Sequence, residues 1–128
     1  MSVANLNNLI DDSDFEDLDG PQLISTLRRM SVDEIKNLHP GAVSIYNLSG
    51  LKFIIKKGYN VNTQSPKGLT LLHYYAKKNP LKSTEVAVKF LLENGIDPTI
   101  ITKKGLTALN IATLYNKKVA KLLINFNI

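Results

Sequence analysis

The chain has 128 residues, 44% of them hydrophobic, which is about one domain of sequence with apolar material for a thin core. It contains no Cys and two His, which excludes a disulfide framework and a zinc site of the usual spacing. The net charge of +5 is split: residues 1–34 carry eight acids against Arg28 and Arg29 (−6), and residues 35–128 carry fourteen Lys against Glu85, Glu93 and Asp97 (+11).

In chain order, Met1-Ser-Val-Ala-Asn lacks the basic and apolar stretches of a secretion signal. No apolar run approaches the ~20 residues that cross a bilayer. The expectation is a soluble, cytoplasmic protein with no membrane contact. Residues 1–20 form an acidic, flexible segment, although Val3, Leu6, Leu9 and Ile10 could line a short helix. Residues 21–48 read as a helical cap or degenerate repeat. Pro21 opens a helix whose apolar face is Leu23, Ile24, Leu27 and Met30. Ser31-Val-Asp-Glu34 is a capping box, and the helix it opens stops before His39-Pro40-Gly41, with His39 finishing it.

Residues 49–128 are repetitive. Leu51-Lys-Phe-Ile-Ile-Lys-Lys-Gly58 and Lys67-Gly-Leu-Thr70 return 37 positions later as Val88-Lys-Phe-Leu-Leu-Glu-Asn-Gly95 and Lys104-Gly-Leu-Thr107. A period of this size marks a supersecondary unit that buries its apolar face only by stacking on copies of itself. Ser49 is expected to cap a helix to Lys57, and Thr84 one spanning Glu85–Asn94. Gly58 and Gly95 would end them in left-handed conformation, with Asn127 at the equivalent position of the last copy. Thr70 and Thr107 would cap shorter helices to Lys78 and Tyr115. The apolar spacing assigns Phe53, Ile54, Ala87, Val88, Leu91, Leu92, Val119, Leu122 and Leu123 to the core.

Gly68-Leu-Thr-Leu-Leu-His73-Tyr-Tyr-Ala76 and Gly105-Leu-Thr-Ala-Leu-Asn-Ile-Ala112 resemble the Gly-x-Thr-Pro-Leu-His-x-Ala-Ala signature of ankyrin repeats. Val88 to Pro98 is similar to the outer helix and turn of that family. The resemblance covers residues 40–128 and implies an all-α ankyrin-repeat helical solenoid with two clear repeats. The departures are Leu71 and Ala108 in place of Pro, Tyr75 in place of Ala, and Asn110 in place of His. Four additional residues, placed at Asn79–Ser83, lengthen one turn, and Asn116-Lys117-Lys118 shortens the next. That elongated turn, with His-Tyr-Tyr, resembles ankyrin proteins of large DNA viruses, which implies a host-interaction role of viral or intracellular-bacterial type.

The resemblance gives His73 a structural role, tying adjacent turns. It also implies a concave partner-binding strip at Pro66, Lys67, Leu69, Tyr74, Lys77 and Lys78 of one repeat. In the next repeat the strip continues at Lys103, Lys104, Leu106, Leu114 and Tyr115. Two exposed leucines and a Tyr ringed by Lys suit an acidic or amphipathic partner; the alternative is that Leu69 and Leu106 pack between turns. The isolated glycines form no phosphate loop, and no paired carboxylates follow residue 34. The expectation is therefore a non-enzymatic protein-interaction module without metal or cofactor. The apolar residues Ile124, Phe126 and Ile128 suggest a homodimer through that end, or a piece of a longer array. Three alternatives remain open. Nucleic-acid binding by the basic body is disfavoured by scattered lysines. The acidic segment Asp11–Asp19 could lie along Lys67, Lys77, Lys103 and Lys104 as a self-inhibitor. The chain could also be an inhibitor or immunity protein.

Overall fold

A computed structural model describes residues 9–10, 14–15, 24–78 and 81–126. Among them are eight helices and no strand. Helix α1 spans Ile24–Arg29, with Leu27 fully buried; the expected start at Pro21 and Leu23 lies outside the described residues. Helix α2 spans Val32–Lys36 and opens with the expected capping box. Ser31 Oγ accepts from the Glu34 N–H at 3.1 Å, and Glu34 Oε1 accepts from the Ser31 N–H at 3.1 Å.

Several caps differ from the sequence expectation. His39 does not finish α2; it begins α3, Pro40–Val43, where its Nδ1 accepts from the Gly41 N–H at 2.9 Å. Asn47, not Ser49, caps α4, Leu48–Lys56, through Oδ1 and the Gly50 N–H at 2.9 Å. Asn and Ser are near-equal caps in isolation. Here Asn47 has the extended backbone a cap requires, and Ser49 lies inside the first turn. Thr84 is buried within α6, Lys82–Glu93, whose N-cap is Leu81. The longer helix thus absorbs Lys82 and Ser83 of the extra turn, while Asn79 and Pro80 lie outside the described residues.

The two shorter helices are α5, Leu71–Lys77, and α7, Ala108–Tyr115, with N-caps Thr70 and Thr107 as expected. Helix α8, Lys117–Phe126, follows α7 after a single residue, Asn116. That buried side chain accepts from the Val119 N–H at 3.2 Å and donates to the Lys78 carbonyl at 3.1 Å, joining two repeats. Gly58 and Gly95 adopt φ of +105° and +91° after the long helices, as their positions predict. Asn127 lies outside the described residues.

The helices form two rows. The short helices α3, α5 and α7 pack in succession; the long helices α4, α6 and α8 pack in a second succession, with α1 against α4. The core between them holds Leu51, Ile54, Leu71, Leu72, Ala76, Val88, Leu91, Ile111, Ala112, Val119 and Leu123, all essentially without exposure. Phe53 and Leu122, expected in the core, are partly buried at its margin. Each unit relies on its neighbour for burial, so truncating one buried leucine such as Leu91 to Ala costs about 2–5 kcal/mol.

Candidate interaction surface

The turns leading into α5 and α7 are copies of one another. In the first, the Ser65 N–H donates to the Leu69 carbonyl at 2.7 Å and the Gly68 N–H to the Ser65 carbonyl at 2.8 Å. In the second, Thr102, Leu106 and Gly105 repeat both bonds at 2.9 Å. The turns are stitched side by side: the Lys103 N–H donates to the Lys67 carbonyl at 3.1 Å. Gly68 is required at that seam, because a Cβ there would meet the Lys103 nitrogen at 2.8 Å and its φ is +88°.

His73 completes the stitching. Its Nδ1 accepts from the Thr70 N–H at 2.9 Å, so the proton sits on Nε2, which donates to the Leu106 carbonyl of the next turn at 3.0 Å. Burial outweighs the bonds to the Leu106 and Ile100 carbonyls and lowers the imidazole pKa to about 4. The ring is therefore neutral near pH 7. Asn110 closes the same local box with Thr107 through bonds of 2.9 and 3.1 Å.

This geometry corrects several positions of the predicted strip. Leu69 and Leu106 are 1% and 3% exposed; each follows a turn glycine and points beneath the stacked turns, so neither is a surface leucine. Leu114 is partly buried against the core. Tyr74 is buried beside the rings of Phe15 and His39, at centroid distances of 5.6 and 6.0 Å. Lys78 leaves the strip: its ammonium donates to the Ser44 carbonyl and lies 5.1 Å over the Tyr75 ring, and burial lowers its pKa. It borders an open groove of about 710 Å³ shared with Tyr46, Leu48, Leu81 and Val86.

What remains at the surface is Pro66, Lys67, Lys103 and Lys104 on the turns, with Lys77 and Tyr115 on the short helices. The N-terminal segment meets them there. Asp14 bridges Lys104 at 3.0 Å and Lys67 at 3.5 Å. The Lys77 ammonium lies 5.6 Å from the Phe15 ring centroid and 4.4 Å from that of Tyr115. The charge pattern anticipated an acidic segment on these lysines, but not the aromatic residue beside it. Asp11–Ser13 and Glu16–Asp19 lie outside the described residues.

A family model described as ankyrin repeats, in three copies, matches residues 41–128. The chain belongs to the ankyrin-repeat family. Its ankyrin repeats correspond to the successive pairs α3–α4, α5–α6 and α7–α8. A putative ankyrin repeat protein of Acanthamoeba polyphaga mimivirus is 38% identical over 55 residues, which cover 43% of this chain and 12% of that protein. The chain thus aligns with only a small share of that relative's length. As an ankyrin protein, it carries the signature histidine in the middle repeat and Asn110 in the last.

Asp14 and Phe15 are held on the ankyrin turns at modest energy. Lys67 and Lys104 side chains are 44% and 39% exposed, so each ion pair with Asp14 contributes at most about 1 kcal/mol. The cation–π contacts of Lys77 at such a surface add roughly 0.5–1 kcal/mol each. Among the described residues no three His, Cys, Asp or Glu side chains cluster to hold a metal. None of the described helices is long and apolar enough to cross a membrane.

Proposed function

We propose that this chain is a non-enzymatic module that binds a partner protein through the strip formed by Lys67, Lys77, Lys103, Lys104 and Tyr115. Ankyrin repeats generally mediate protein–protein interaction. The observation that carries the reading is the contrast within the strip. Leu69, Leu106 and Tyr74 are buried and fix its base, while Lys103, Lys104 and Tyr115 are exposed and Lys67 and Lys77 half-buried on consecutive turns and short helices. A fixed platform of charge and aromatic surface loses little entropy on association. Its partner is acidic or amphipathic. The likeness to a mimivirus ankyrin protein favours a host protein met in the cytoplasm.

Peptides selected from a random library on the immobilised chain should bind this strip. Lys104→Glu combined with Tyr115→Ala should weaken such peptides at least tenfold, whereas Lys89→Glu on the outer helix α6 should not. Equal loss from both changes, or from neither, would refute the site. A second contact is proposed at α8, where Ile124 and Phe126 are 53% and 48% exposed and a second copy of the chain would cover them.

A further inference from the structure

We infer that the strip recognises a partner segment in which a carboxylate residue is followed directly by an aromatic one, and that Asp14–Phe15 is the chain's own stand-in for it. This rests on the interaction reading above and names the chemistry of the ligand. Asp14 has only 12% of its side chain exposed, although it belongs to an acid-rich stretch that water would solvate well. Its two oxygens are used separately, Oδ1 toward Lys67 and Oδ2 toward Lys104, so one carboxylate is held by the turns of two successive repeats. The next residue places its ring edge-on to Tyr74 and beside the Lys77 ammonium, which also faces Tyr115.

The two lysines that hold the carboxylate come from equivalent turn positions of neighbouring units, 37 residues apart. Lys67, Tyr74 and Lys77 belong to the middle repeat, Lys104 and Tyr115 to the last. With both leucines of the strip buried, little aliphatic surface remains to be read there. The available chemistry is a pair of ammonium groups beside a cation-and-ring platform, which fits a carboxylate and an adjacent ring. An external ligand of that kind must displace Asp14–Phe15, so the segment acts as a competitive plug.

The test uses the full chain and its Asp14→Ala/Phe15→Ala variant. The probe is a labelled synthetic peptide of residues 11–18 added in trans, read by fluorescence anisotropy at low salt. The emptied variant should bind the peptide at least tenfold more tightly than the parent, and Asp14→Asn alone should give a smaller gain. A peptide with Ala at both positions should not bind, and adding Lys104→Glu to the emptied variant should abolish binding. Circular dichroism shows whether the variants keep their helices. Equal affinity of parent and emptied variant, undiminished binding of the Ala peptide, or tighter binding of a single-stranded oligonucleotide than of the peptide would each overturn the inference. Library peptides that need the strip yet lack an acidic-aromatic pair would overturn it while leaving the interaction reading intact. A library with no strip-dependent binder would fail that reading itself.

Discussion

His73 spends its two nitrogens on backbone groups of two different turns, and it does so as the neutral ring. Its pKa is near 4 in the folded chain and ordinarily 6.5 when unfolded, so between these values the unfolded chain binds the extra proton. Stability contributed by this residue is therefore complete above about pH 6.5 and is lost as the pH falls toward 4. Between pH 7 and 5 the loss is about 2 kcal/mol. Urea titrations at the two pH values should show it, and His73→Asn should remove most of the difference while lowering stability at both. An unchanged difference would mean the imidazole is not the titrating group. The structural role of this histidine was legible from its signature. The burial of Leu69 and Leu106 was not, because where a turn residue points depends on the turn stacked beside it. The capping roles of His39 and Asn47 were obscured for a related reason. Several good caps lie close together, and packing of the following helix selects among them.

The turns are the elements where local and neighbouring demands differ most clearly. Gly68 and Gly105 occupy matching positions with φ of +88° and +79°. Gly105 has open space where a Cβ would stand, whereas Gly68 faces the Lys103 nitrogen and Thr102 Cα at 2.8 and 3.1 Å. Gly105→Ala should cost only the left-handed strain, about 1–2 kcal/mol. Gly68→Ala must also push the adjoining backbones away from each other, and should cost about 3 kcal/mol or more. Chemical denaturation of both variants side by side would check the ranking; equal losses would mean that the turns are not pressed together. The 37-residue spacing revealed that these turns are equivalent. Their unequal tolerance arises because one has a neighbour at its seam and the other has none among the described residues. The same holds for Thr84, a good cap by type that became a buried interior residue once α6 began at Lys82.

The whole molecule is a stack in which each pair of helices touches the pairs beside it, so its stability is close to a sum over units and interfaces. The last helix buries Val119 and Leu123 but leaves Ile124 and Phe126 exposed. If a second copy covers them, sedimentation equilibrium should give a mass that rises with concentration toward twice 14.2 kDa. Ile124→Glu with Phe126→Glu should return it to that of one chain. A constant single-chain mass for the parent would remove the homodimer. The stacked architecture was legible because a repeat writes its period directly into the sequence. The seat of Asp14 and Phe15 was only half legible: opposite charges announced an attraction, but charge alone carries no register.

A carboxylate gripped by lysines of two different repeats works as a gauge of the distance between them. Flexing the solenoid would widen or narrow that gap and loosen the grip on whatever occupies it. Occupancy and curvature would thereby be linked, and a strip that binds as proposed would discriminate among ligands by spacing as well as by charge.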